Sequence, residues 1–233
     1  MAVKIYKDMG MKLKSRDGEY VLPDSPVFRP ILERVAQRDK TLYAHIAEPL
    51  SAWLPLEQQP PHHRAYYEGY PDWHMHGSPK IPSKETILAA RDRMVRDNPG
   101  LRIVGCHLGS MEEDVDEITK RLDLYPNFVV DASGRIPDLM LEPREKTRAF
   151  LLRHQDRILY GTDIVWVGNL PEEMMLRQLE DTYDRDWKYL ATNERLNVDG
   201  REVQGLELPE PVLRKIYSEN ALRWVPGLAS SHG

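Results

Sequence analysis

The sequence predicts an α/β protein built on a parallel sheet, and three observations carry that prediction. Five short apolar runs of strand type alternate with longer runs of helical periodicity, which is the rhythm of βα units. Histidines and aspartates stand just after several of those runs, where parallel sheets bind their ligands. The 14 Gly and 18 Pro are scattered over 233 residues, so they punctuate a fold and leave no low-complexity tract. No repeat and no linker is visible, and residues 1–233 read as a single domain.

The composition excludes several classes of function. With 32 Lys+Arg against 37 Asp+Glu and a net charge of −5, the chain lacks the basic surplus of a nucleic-acid binder. One cysteine allows no internal disulfide and no thiolate cluster for structural zinc. No run approaches the ~18–20 apolar residues of a membrane span. The opening Met1-Ala2-Val3-Lys4-Ile5-Tyr6-Lys7-Asp8 is too short in apolar run for a signal peptide. The expectation is a cytoplasmic protein with a small-molecule substrate, and with no nucleic-acid or membrane partner.

Residues 3–7 alternate as a first strand. Ser25-Pro26 marks a helix start, with the cap residue followed by proline at the first helical position. Residues 27–38 then place Ile31, Leu32 and Val35 on one helical face. Residues 41–46 form a buried strand. Ser83 opens a helix with an apolar stripe of Ile87, Leu88, Ala90 and Met94, which Asn98-Pro99-Gly100 stops. Strands follow at 101–106, 128–131 and 157–161, with helices at 111–124, 141–154 and from 171 to about 190. A polar insert, 192–205, precedes two terminal helices at 209–217 and 219–224. Between the second strand and Ser83 lies an irregular segment, 48–82, with seven prolines (Pro49, Pro55, Pro60, Pro61, Pro71, Pro79, Pro82). It also carries the aromatics Trp53, Tyr66, Tyr67, Tyr70 and Trp73. Unstructured loops of this length usually have a function, so it reads as a lid or an active-site wall.

The chemistry falls at the strand ends. His45 ends the second strand, His107 the third and Asp163 the fifth, while the fourth ends in Asp131 with Ser133 and Arg135 just beyond. Neutral imidazole with carboxylate suits zinc, manganese or iron.

Tyr43-Ala44-His45, Val104-Gly105-Cys106-His107-Leu108-Gly109, Ile158-Leu159-Tyr160-Gly161-Thr162-Asp163 and Lys215-Ile216-Tyr217-Ser218-Glu219-Asn220-Ala221 together resemble the amidohydrolase superfamily. The branch they resemble is the amidohydrolase 2 group of metal-dependent hydrolases and decarboxylases. The resemblance implies a (β/α)8 TIM-barrel type of fold, entered here at the fourth barrel strand, so that about five parallel βα units form an incomplete barrel. It implies one divalent metal ion, with Zn2+ the first expectation and Mn2+ the alternative. His45 and Asp163 would be ligands, and Asp163 also the proton acceptor. His107 would either ligate or hydrogen-bond the attacking water or the substrate carbonyl.

Family members begin with a strand carrying a His-x-His pair and two further βα units, and that part is absent here. The expectation is that the chain is the C-terminal portion of a longer protein, and that an open sheet with two unpaired edges favours a homo-oligomer. The implied activity is hydrolysis of a small carboxylate-bearing substrate. A non-oxidative decarboxylase on the same site and an inactive fragment are the alternatives. Trp73-His74-Met75-His76 is a literal His-x-His close to His62-His63, and His74 or His76 could replace the missing ligands. Glu48 and Arg135 point to the same mouth, Arg135 as a fork for a substrate carboxylate. Trp166, with Trp53 and Trp73, could wall the substrate. Lys4 or Lys7 stands where some superfamily members carry a carbamylated lysine. Cys106 reads as core, and Asn220 as a local contact at a helix start.

Overall fold

The computed structural model describes residues 2–78, 80–166, 168 and 170–228; Pro79 lies outside them. Its main sheet has five parallel strands in sequential order: β1 (Val3–Ile5), β2 (Leu42–His45), β3 (Ile103–Cys106), β4 (Phe128–Asp131) and β5 (Ile158–Leu159). Sequential order with a helical crossover after each of the first four strands is the arrangement of a (β/α) barrel, here not closed. The crossovers contain α1 (Arg29–Gln37), α2 (Pro61–Gly69) and α3 (Lys84–Asp97), then α4 (Val115–Leu124), then α5 (Ile136–Leu141) and α6 (Arg144–Arg153). The chain continues through α7 (Glu172–Ala191), the antiparallel pair β6 (Arg195–Val198) and β7 (Arg201–Gln204), α8 (Glu210–Arg214) and α9 (Asn220–Trp224). No described helix is long and apolar enough to cross a membrane.

Strand alternation divides the core. Leu42, Ala44, Ile103, Phe128, Val130 and Ile158 face the helices and join the larger apolar cluster with Leu32, Val35, Ile87, Met94 and Ile118. On the opposite face Val104, Val129 and Leu159 pack with Tyr43, Ala221 and Trp224. Trp224, at the end of α9, is therefore what shields the second face from water.

The segment 48–82 is more ordered than its prolines suggest. Short 3-10 turns form at Leu50–Trp53, Leu56–Gln58 and Pro71–Trp73, and α2 runs for nine residues. Each follows a proline at its cap or carries one in its first turn. There a missing N–H is no loss, so these prolines start helices as well as interrupting them. Pro143 has the same effect on the helix expected at 141–154: it caps α6 and separates it from α5. Helix α4 begins at Val115, four residues later than expected, where the Asp114 carboxylate accepts from the Asp116 amide. The polar insert is a hairpin. Its turn, Asp199-Gly200, has φ of 50° and 79°, the double left-handed geometry of a tight hairpin turn.

The β5 edge is not exposed. The Tyr160 amide donates to Ile216 O at 2.9 Å, and Asn220 Nδ2 donates to Ile158 O and Gln155 O, both at 2.7 Å. Asn220 thus clamps the C-terminal helical stretch to the strand, where a local helix-start contact was expected. On the other side, β1 has only β2 beside it among the described strands.

Gly105 is a tight point of the sheet, since a Cβ there would lie 2.5 Å from the Phe128 ring. Gly105→Ala is expected to cost about 1–3 kcal/mol through overpacking, read as a lower urea midpoint. Phe128→Leu in the same chain should recover part of that loss. An unchanged midpoint for Gly105→Ala would contradict this packing.

Candidate active site

Register brings the candidate residues together. Pairing of His45 with Cys106 across β2 and β3 puts His45 and His107 at neighbouring strand ends, with ring centroids 4.8 Å apart and edge to face. The two ends are tied by Ser110, whose hydroxyl lies 2.9 Å from Ile46 O and 3.1 Å from Ala47 O. Behind them the fully buried Arg91 donates to Gly109 O. Ala47, Leu108, Ser110 and Asp163 all have φ between 50° and 66°. Such left-handed non-glycine residues cost about 1–3 kcal/mol each and gather where a site fixes its backbone.

His107 stands between two carboxylates. Its Nδ1 is 2.9 Å from Asp131 Oδ1, and its Nε2 is 3.4 Å from Asp163 Oδ2. Asp131 is buried. Burial works to raise its pKa, but the hydrogen bond and charge of His107, with the hydrogen bonds of Cys106 and Ser133, together outweigh that and hold the carboxyl below its usual range. An ionised carboxylate only accepts, so His107 Nδ1 carries a proton, and in the neutral ring Nε2 offers a lone pair towards Asp163. Two acceptors then face each other, and a proton or a cation between them would satisfy both.

Asp163 follows β5 by four residues and keeps 49% of its side chain exposed. Small residues let it approach. A Cβ on Gly134, at φ +67°, would lie 3.2 Å from Asp163 Cβ, and one on Gly161 would strike Ser133. His45 is only 7% exposed and its Nε2 has no hydrogen-bond partner. Burial first, then the neighbouring His107 and Lys7, drive its pKa far down, so it stays neutral and able to ligate.

The surroundings of this pair are cationic. Lys7, just past β1, forms an ion pair with the buried Glu48 and hydrogen-bonds Tyr66 at 2.8 Å. It also lies 4.3 Å from the Trp73 ring centroid. Burial, with Arg135 adding to it, lowers the Lys7 ammonium to about 7. Glu48 is thus committed to Lys7 and to Tyr67, whose hydroxyl is 3.4 Å away, and is buried. Arg135 is held near Glu112, Nε to Oε2 4.0 Å, and its buried Nε has no hydrogen-bond partner.

The other candidates separate. Tyr6 stacks edge-on between His45 and Trp73, at 5.5 and 5.8 Å, so Trp73 belongs to the rim. Trp53 instead donates to Pro82 O, and Trp166 is 58% exposed. His74 Nε2 lies 2.9 Å from Leu54 O and His76 Nδ1 3.2 Å from Trp53 O. Both rings are engaged within the segment 48–82. Cys106 is buried with its thiol pKa raised by burial. The pairing of Lys7 with Glu48, and the role of Asp131 in holding His107, had no signal in residue spacing.

His45, His107 and Asp163 suit a divalent cation in type and share one rim. Among the described residues, however, their ligand atoms do not all fall within 4.8 Å of one another, as those of His62, His63 and Asp138 do.

A family model described as Amidohydrolase, of the amidohydrolase 2 group, matches residues 2–227. The chain belongs to the amidohydrolase family. Amidohydrolases of this group are metal-dependent enzymes. Among solved structures the chain is similar to an uncharacterised TIM-barrel protein from Bordetella bronchiseptica, at 15% identity over 88% of this chain and 52% of that one, TM-score 0.47. It is also similar to a 2,6-dihydroxybenzoate decarboxylase in complex with 2,6-dihydroxybenzoate, at 20% identity over 91% and 59%, TM-score 0.47. A third is 4-oxalomesaconate hydratase from Rhodopseudomonas palustris, at 13% identity over 97% and 55%, TM-score 0.48. This amidohydrolase chain therefore spans between 52% and 59% of the length of those proteins. A search of curated proteins finds no match.

The lowered Asp131 pKa fixes a pH dependence. Between the folded and unfolded values the unfolded chain binds more protons, so the stabilisation is complete above about pH 4 and drains as pH falls through the folded value. Asp131→Asn should lose about 1–3 kcal/mol at pH 7. Its deficit relative to the parent should shrink below about pH 4, measured by urea unfolding across that range. A deficit independent of pH would overturn the ionised Asp131–His107 pair.

Proposed function

We propose that the rim formed by His45, His107 and Asp163 is the catalytic centre of a metal-dependent hydrolase, cleaving a C–N or C–O bond in a small carboxylate-bearing molecule. The observation that carries this reading is the buried, unpartnered Nε2 of a neutral His45 beside a second imidazole aimed at a carboxylate. A buried polar atom without a partner is costly unless a ligand completes it. His45 and Asp163 would hold the ion, with His107 at the same rim. Zn2+ is the first candidate by donor type and Mn2+ the alternative. When bound, such an ion polarises a substrate carbonyl and lowers the pKa of a water towards about 7.

The residues of the chain supply the rest. Asp163 accepts the proton of the attacking water at Oδ2 and returns it to the leaving group, a task suited to a half-exposed carboxylate. His107, its tautomer set by Asp131, directs Nε2 at the reacting centre, where it would accept a hydrogen bond from the attacking water and orient it. Arg135, with Nε free of hydrogen bonds, and Lys7 give the rim the positive potential that attracts a carboxylate. Trp73 and Tyr6 offer an apolar wall beside His45. The same cations favour a second reading, a decarboxylase in which Arg135 holds the departing carboxylate and Asp163 protonates carbon.

Replacing His45 and Asp163 together by Asn should remove about one equivalent of divalent metal per chain and abolish turnover, with circular dichroism unchanged. Metal content unaffected by that double substitution would sink the reading. Product analysis separates the two chemistries: an amine or alcohol supports hydrolysis, and carbon dioxide supports decarboxylation.

A further inference from the structure

A second cluster of ligand-type side chains lies away from the rim. His62 and His63 occupy the first turn of α2, with ring centroids 4.3 Å apart. Both direct Nε2 at one oxygen of Asp138 on α5, at 3.1 and 3.0 Å from Oδ1. The far nitrogens are anchored. His62 Nδ1 is 2.6 Å from Asp199 Oδ2 at the hairpin turn, and His63 Nδ1 meets the Ser51 hydroxyl. Imidazoles that bind metals characteristically have the opposite nitrogen held by a carboxylate, hydroxyl or carbonyl, which fixes the tautomer. Asp199 can only accept, so His62 Nδ1 carries a proton. Burial works to lower the pKa of this ring, but Asp138 and Asp199 outweigh it and raise it. A cation at this place would therefore displace the Nε2 proton and take the lone pair facing Asp138.

An independent observation points to a ligand at the same place. A cavity of about 220 Å³ is lined by His63, Asp138, Ser51 and Glu112. Glu112 is 2% exposed, and neither of its carboxylate oxygens has a hydrogen-bond partner. Asp138 Oδ2 is likewise buried and unpartnered. Arg135 is the cation beside them, its Nε 4.0 Å from Glu112 Oε2. It leaves Glu112 and Asp138 Oδ2 without a hydrogen bond, so these oxygens stay open to a ligand in the cavity.

We infer that His62, His63 and Asp138 form a second divalent-cation site, suited to Zn2+, with the buried Glu112 carboxyl as a further oxygen donor in its cavity. The ligand atoms lie within 4.8 Å of one another, compatible with metal–ligand bonds of about 2.0–2.2 Å after small side-chain shifts. The site would fasten the segment 48–82, through α2, to α5 and to the β6–β7 turn. It does not depend on the hydrolase reading, because none of its residues belongs to the rim.

The test uses the full chain carrying His45→Asn and Asp163→Asn, so that metal at the rim does not contribute. Titration with ZnCl2 by calorimetry should show about one equivalent bound and a raised melting temperature, with MgCl2 giving neither. Co2+ in place of Zn2+ should give visible absorption typical of nitrogen and oxygen ligation. Adding Asp138→Asn should abolish the binding. Should that variant unfold, His62→Gln, at a partly exposed position, should weaken Zn2+ by at least about tenfold with circular dichroism intact. A melting temperature indifferent to Zn2+, or binding unaltered by these substitutions, would overturn the proposal and leave an imidazolium shared between Asp138 and Asp199.

Discussion

The Asp131–His107 hydrogen bond sets the geometry of the rim. Asp131 ends β4 and is itself oriented by the Ser133 amide, 3.1 Å from Oδ1. It therefore transmits the position of one strand end to the side chain of the next. Because its carboxylate only accepts, it decides both the tautomer and the rotation of the His107 ring. That rotation gives His45 its edge-to-face neighbour and presents Nε2 to Asp163. The hydroxyl of Ser110 and the guanidinium of Arg91 secure the same loop from behind. Their packing offsets the strain of the left-handed residues around it.

The electrostatics of the rim follow from which charges are cancelled. Lys7 is paired with Glu48, but burial and Arg135 still draw its ammonium down to about 7, so its charge varies near neutral pH. Arg135 keeps its charge: burial works against it, but the carboxylates of Glu112 and Asp138 more than compensate. A neutral His45 sits among these cations and His107. An anion entering this environment gains from every one of them, and most where water is excluded.

Sequence rhythm located all five main strands, because periodicity of apolar residues is a local property. It also placed His45, His107 and Asp163 at one end of the sheet, since βα topology sends every strand end to the same side. Local patterns could not give partners distant in the chain. Glu48 is three residues from His45 in sequence, yet its carboxylate is taken up by Lys7, 41 residues away at the end of the neighbouring strand. His62 and His63 read as part of a proline-rich loop, and only the fold of α2 against α5 brings them to Asp138. The proline count of 48–82 misled for a physical reason: the same residue breaks a helix in its middle and starts one at its first turn. The hairpin did have a signal, Asp199-Gly200, but polar composition around it concealed the strands.

The face of the sheet that carries the smaller apolar cluster explains why titratable groups gather at one end. Tyr43, Val104 and Val129 form an apolar layer closed by Trp224, and two residues along the same strands stand His45, Cys106 and Asp131. The apolar layer excludes water from below, which raises the cost of any uncompensated charge in the polar layer above it. That is why Asp131 is bound to His107, why Cys106 stays a thiol, and why His45 stays neutral. Burial settles the protonation of Cys106 and His45 before any ligand arrives, and the contacts of Asp131, against its burial, settle that of its carboxylate. Asp163, on a left-handed residue beyond the short β5, is the member of the set open to solvent, and so the one able to exchange protons with it. A buried, preset pair facing one solvent-linked carboxylate separates orientation from proton transfer, the two tasks that general acid–base chemistry requires of a site.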